Sequence, residues 1–144
     1  MATAYSLILP TQVVPGVGWY NAEMVVGGTF ALTTTHVGTI NNTVKLFTVP
    51  KSFVVTGIAM DNTQMDSSTG LTISIGDAGS AIRLVSSSTG WRAAAYSTAL
   101  VAGALGYTYT ADTDILVTMT AAATTPVAGT LVFFLKGHIG SPTI

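Results

Sequence analysis

The sequence predicts an all-β fold, a sandwich or a barrel, from three observations. Short runs of β-branched and apolar residues recur at intervals near ten residues, separated by Gly, Ser, Asn and Asp. Several of these runs alternate with period two, as half-buried strands do. Helical periodicity is nearly absent. Even the Ala-rich stretch Trp91–Ala104 is interrupted by Ser97-Thr98 and Gly103, which leaves room for one short turn of helix.

Taken in order, the chain opens on a different kind of segment. Pro10, Pro15, Gly16, Gly18, Gly27 and Gly28 punctuate apolar pieces such as Tyr5–Leu9 and Met24–Val26. So many breakers oppose a hairpin meander, and they predict an extended N-terminal arm over 1–30 ahead of a single domain over 31–144. The arm either packs on its own domain or reaches a neighbouring subunit. Phe30–Thr35 is a faint strand candidate. Thr43–Val49 and Phe53–Met60 are β-branched runs flanking Pro50-Lys51, where Pro belongs at a strand end or turn because it donates no ladder hydrogen bond. In the second run Phe53 and Val55 fall on one face, Val54 and Ile58 on the other. Leu71, Ile73 and Ile75 alternate with Thr72 and Ser74 between two glycines, and Gly76-Asp77-Ala78-Gly79 reads as a hairpin turn. Ala81–Val85 and Leu105–Thr110 follow as strands. In Asp114–Thr120, Ile115, Val117 and Met119 share a face. In Gly129–Lys136, Leu131, Phe133 and Leu135 face one way, Val132 and Phe134 the other.

Composition narrows the function. The 144 residues fit one domain, with charged residues at 8% against a usual share of about 25%. A net charge of −1 leaves nothing to neutralise a row of phosphates, which argues against nucleic-acid binding. Zero cysteines remove disulfides, thiolate metal sites and Cys nucleophiles. The mean hydropathy is +0.58, yet no window offers the roughly 18 uninterrupted apolar residues of a spanning helix. Met1–Leu9 lacks the basic start of a signal peptide. The expectation is a protein made in a cytoplasm, with no membrane partner and an uncharged surface.

Site chemistry is thin. The imidazoles are His36, read as the end of a strand, and His138, near the C-terminus; no G-x-S-x-G elbow exposes a serine. Asp112 and Asp114 at i, i+2, with Asp61 and Asp66 around a loop that offers further oxygens, are the nearest approach to a calcium set, but Asp112 and Asp114 read more simply as turn-stabilising carboxylates. Gly16-Val17-Gly18 lacks the third glycine and the lysine of a phosphate loop. The T-x-T pairs Thr108/Thr110 and Thr118/Thr120 are too few for an ordered hydroxyl array. No enzyme, cofactor or metal is expected.

Assembly is better supported. A surface strand of a solvated monomer carries polar residues on its outer face, whereas Gly129–Lys136 is apolar on both. Such a face is covered by its own domain or by another subunit, and charge depletion favours the second. The succession Phe47-Thr48-Val49-Pro50-Lys51-Ser52-Phe53-Val54-Val55-Thr56-Gly57, Thr69–Asp77, Gly106–Ile115 and Ala128–Val132 resembles β-sandwich head decoration (cement) proteins of tailed bacteriophages and related jelly-roll fibre modules. The resemblance spans roughly Lys45–Lys136. It implies an antiparallel, jelly-roll-like β-sandwich on the virion, bound as a trimer to the major capsid protein on the outside of the shell. It brings no catalytic residues. Contact candidates are Tyr5, Leu7, Ile8, Trp19 and Tyr20 in the arm, with Val132 and Phe134 on the strand. The alternative is a carbohydrate- or receptor-binding module of a phage fibre or tail, with Trp91, Tyr96, Tyr107 and Tyr109 as aromatic platforms. Trp91 also reads as a partly buried anchor beside Arg92.

Overall fold

The computed structural model describes residues 23–140. Eight strands run in chain order as β1 (Met24–Leu32), β2 (Thr43–Val49), β3 (Phe53–Asn62), β4 (Thr72–Asp77), β5 (Ser80–Ser88), β6 (Ala95–Ser97), β7 (Thr113–Ala121) and β8 (Gly129–Ile139). One helical turn, α1 (Thr34–Val37), follows β1. A 3-10 turn at Gly90–Arg92 precedes β6. The strands form two antiparallel four-stranded sheets, ordered β1-β8-β3-β6 and β2-β7-β4-β5. First pairs with last, second with seventh, third with sixth and fourth with fifth. The chain is thus one long antiparallel ribbon wrapped around a core, an eight-stranded jelly roll.

Alternation builds that core. Val26, Phe133, Leu135, Phe53 and Val55 point inward from the first sheet, and Phe47, Val49, Ile73, Ile115 and Val117 from the second; all are buried. Stacked rings bridge the sheets, Phe30 to Phe47 at 6.2 Å and Phe47 to Phe133 at 6.1 Å between centroids.

Bulges reset this alternation in β3 and in β2, and the first corrects an expectation. The β3–β8 register shifts between Val55 and Gly57, so Thr56 is an extra residue. Ile58 therefore turns inward with Phe53 and Val55, only 2% exposed, instead of sharing a face with Val54. A shift between Lys45 and Phe47 similarly buries both Leu46 and Phe47.

Three more expectations change. The arm boundary at residue 30 falls inside β1, which pairs with β8 from Met24 through Leu32. Gly27 and Gly28 do not break this strand, because the ladder lies too close to tolerate a side chain at Gly27. A Cβ there would sit 2.0 Å from the Phe133 carbonyl oxygen, with φ at +154°. His36 ends no strand: it lies in α1, where Thr33 Oγ1 accepts the His36 N–H and His36 Nδ1 accepts the Thr33 N–H. Leu105–Thr110 forms no regular strand either, since Gly103 and Gly106 take positive φ. It makes a single bridge, Thr108 to Val54, with the Val55 N–H donating to the Tyr107 carbonyl and the Tyr109 N–H to the Phe53 carbonyl. The segment thereby covers the stretch of β3 that the three-residue β6 leaves open, protecting an exposed edge.

Gly27 and Gly28 offer a direct check. A Cβ at Gly28 meets only the Phe30 ring, at 3.9 Å. Gly27→Ala is expected to cost about 1–3 kcal/mol in urea unfolding and Gly28→Ala under about 1 kcal/mol. Equal losses would contradict the close approach of β1 to β8.

Candidate functional site

The two outward faces of the sandwich differ in chemistry. Residues paired across a ladder share a face. On the β2-β7-β4 side the register sets Thr43 beside Thr118, Lys45 beside Leu116, and Thr48 beside Asp114. The Lys45 ammonium lies 3.0 Å from the Asp114 carboxylate, and the Thr48 hydroxyl donates to the same group at 2.6 Å. These partners hold the Asp114 carboxyl below the usual range, the Thr48 hydroxyl first. Hydroxyls and an ion pair make this a face for water.

The β1-β8-β3-β6 side is apolar at its centre. Phe134 stands opposite Gly27 on β1 and Ala59 on β3, while Val132 stands opposite Thr29 and Asp61. Tyr96 of β6 pairs with Asp61 and is 69% exposed, and Val25 is 37% exposed. Phe134 and Val132 are half-buried, and with Ala59, Met60, Asp61 and Tyr96 they line a depression of about 170 Å³. Gly27 matters here as well, since it places no side chain opposite Phe134. Lys136, next on this face after Phe134, bounds the patch along β8.

The predicted contact pair Val132 and Phe134 is thus brought to one patch. Tyr5, Leu7, Ile8, Trp19 and Tyr20 lie outside the described residues. The four aromatic candidates of the alternative reading do not form a platform. Trp91 is fully buried and Tyr109 is 2% exposed, so neither can stack on a sugar. Tyr107 meets Tyr109 edge-on at 5.0 Å and carries the Arg83 guanidinium 4.0 Å above its ring. Tyr96 remains exposed, on the apolar face.

The carboxylates are occupied by structure. Asp66, fully buried, was missed as a folding element because two of its five partners are remote in sequence. Its oxygens accept the N–H groups of Ser68, Gly70, Leu71, Thr124 and Thr125, tying the loop before β4 to the loop after β7. Burial opposes ionisation, but the N–H groups of Thr125, Ser68, Leu71 and Thr124 outweigh it and bring the carboxyl to about 2. With N–H groups aimed at both oxygens, the site repels a cation. Asp77 accepts from Gly79 and Ser80 in the hairpin turn and pairs with Arg83. Asp112 accepts the Lys51 N–H at 2.9 Å. Among the described residues no three His, Cys, Asp or Glu side chains cluster as metal ligands. Neither imidazole hydrogen-bonds a carboxylate there. A groove of about 410 Å³, lined in part by Ser86, Ser87, Ser88, Thr89 and Ser97, contains no titratable side chain.

The fold and its patch define a jelly roll with one apolar and one polar face, and no assembled catalytic group among the described residues. No protein-family model matches the chain, and no curated protein matches it in sequence. Solved structures do. The chain is similar to one from the Cyanophage Pam1 capsid asymmetric unit at a TM-score of 0.70 and 24% identity, covering 89% of this chain and 92% of that one. It is also similar to one from the capsid of Ralstonia phage GP4, at a TM-score of 0.69 and 17% identity over 90% of each. At these identities the likeness shows the shared fold.

Asp66 supplies a pH test with a definite sign. Its folded pKa, about 2, lies below the ordinary 3.8, so its contribution is complete above about 4 and fades as pH falls toward 2. Asp66→Asn is expected to cost about 2–4 kcal/mol at neutral pH. Chemical unfolding of both proteins should show this gap closing between about pH 4 and pH 2. A gap independent of pH would remove Asp66 from this role.

Proposed function

We propose that the protein is a structural component of a phage virion. In this reading it binds the outer surface of the capsid as a decoration or cement protein, with the major capsid protein as partner, and acts as a trimer. The observation that carries the proposal is the asymmetry of the sandwich, apolar around Phe134 and Val132 and hydroxyl-rich on the opposite side. A half-buried Phe, a Val and an exposed Tyr around a shallow depression have the composition of a contact core, with one carboxylate, Asp61, among them. The match over about nine-tenths of two chains from phage capsids supports the same class of role. The mechanism is mass action. A protein that binds the assembled shell and not its free subunits lowers the free energy of the shell, by about 2.7 kcal/mol per site at a concentration one hundred times Kd. Neither proton transfer nor covalent chemistry is needed. Tyr5, Leu7, Ile8, Trp19 and Tyr20 extend the contact beyond the domain.

Light scattering at micromolar concentration and heat disruption of capsids test both halves. The wild-type protein is expected to be a trimer and to raise the temperature at which capsids break. Phe134→Asp, with circular dichroism unchanged, should disrupt the trimer and thereby weaken capsid binding at least about tenfold, the cost of a buried unpaired charge at a contact core. A monomer that leaves capsid stability unchanged would overturn the proposal.

A further inference from the structure

The apolar face and the segment ahead of β1 fit one another. Residues 1–22 contain no Asp, Glu, Lys, Arg or His, yet include Tyr5, Leu7, Ile8, Leu9, Trp19 and Tyr20; the first charge is Glu23. A solvated tail has the opposite composition, low in apolar residues and high in charge. That segment joins the domain at a corner of the face in question. Glu23 leads into β1, and its carboxylate accepts the Thr56 hydroxyl at 3.2 Å, reaching across the end of β8.

The segment is long enough to serve a neighbouring copy. Met24 pairs with Gly137, and Val132 lies five residues further along β8. The depression beside Ala59 and Val132 is therefore roughly 20 Å from Met24, given about 3.3 Å per residue and about 4.8 Å between strands. Pro10 and Pro15 bias Leu9 and Val14 to extended backbone. Fifteen extended residues span up to about 50 Å, which carries Tyr5–Leu9 well past the far edge of its own face. We propose that the Tyr5–Leu9 segment of one copy seats on the Phe134–Val132–Tyr96 face of the next copy, an arm exchange that closes the oligomer. The apolar arm then covers the apolar face, and the depression takes one aliphatic side chain. In an extended chain Leu7 and Ile8 point oppositely, so one of them enters. This rests on the oligomeric part of the proposed function and is independent of what the oligomer binds.

The absence of cysteine gives the test a clean background. Two single-cysteine proteins of different mass, one carrying Leu7→Cys or Ile8→Cys and the other Val132→Cys, are co-expressed and treated with a short bis-maleimide. Thr29→Cys, opposite Val132 on the same face, serves as a second acceptor should Val132→Cys perturb folding; Thr118→Cys on the polar face is the control. Seating places the thiols at a millimolar effective concentration, so the mixed cross-link should exceed the Thr118→Cys control by about a hundredfold at micromolar protein. Equal yields from Thr118→Cys and Val132→Cys would overturn the proposal. So would a cross-link confined within one chain when both cysteines are on it, which would assign the face to the chain's own arm. Thiol labelling of the Val132→Cys protein that is blocked only when capsids are added would assign the face to the capsid partner and likewise overturn it. Capsid binding of the same proteins, uncross-linked, separates failure of this arrangement from failure of the proposed function.

Discussion

Phe133 and Phe134 are consecutive on β8, and the pleat sends them to opposite sides of the same strand. Most of the architecture depends on that division. β8 is hydrogen-bonded along both edges, by β1 and β3, so it cannot rotate to bury both rings. Phe133 enters the core and stacks on Phe47 of the facing sheet. Phe134 is left outside, half-buried beside Ala59. Folding therefore completes one aromatic cluster and leaves a second, smaller apolar patch on the outer face.

The low charge takes on a different meaning once the bonds are traced. Of the six acidic residues, Glu23, Asp66, Asp77, Asp112 and Asp114 each accept a hydrogen bond from a named donor elsewhere in the fold. They hold turns, loop ends and one cross-strand pair in place, not a hydration layer spread over the surface. Asp61, the sixth, stands on the apolar face between Val132 and Tyr96. Charge is scarce, and three of the six carboxylates, Asp66, Asp77 and Asp112, fix irregular backbone. The outer faces are then distinguished by hydroxyls on one side and by carbon on the other.

Strands bounded by turn residues were legible from the sequence: β2 appears at the β-branched run Thr43–Val49, and β7 where Asp114–Thr120 alternates with period two. The inward and outward sets of β8 were legible for the same reason. What was hidden depends on contacts between distant residues. Thr56 looks like an ordinary member of its run, and only the register against β8 makes it a bulge that turns Ile58 inward. Gly27 and Gly28 look like breakers until β8 is beside them. Asp66 reads as a loop acid, because the donors that define it come partly from Thr124 and Thr125, almost sixty residues away. Leu105–Thr110 has strand composition, but two positive-φ glycines reduce it to a bridge that guards an edge. At the candidate site, Val132 and Phe134 were evident from β8 alone. Tyr96 and Ala59 were not, since cross-strand pairing is what brings them beside the pair.

The most direct measurement is a side-chain-resolution cryo-EM reconstruction of the particle that carries this chain. The account predicts the sandwich on the outside of the shell, with Phe134, Val132 and Tyr96 covered by protein density and Thr43, Thr118 and Lys45 facing solvent. A reconstruction in which the Phe134 face is open to water, with the hydroxyl-rich face against the shell, would contradict it.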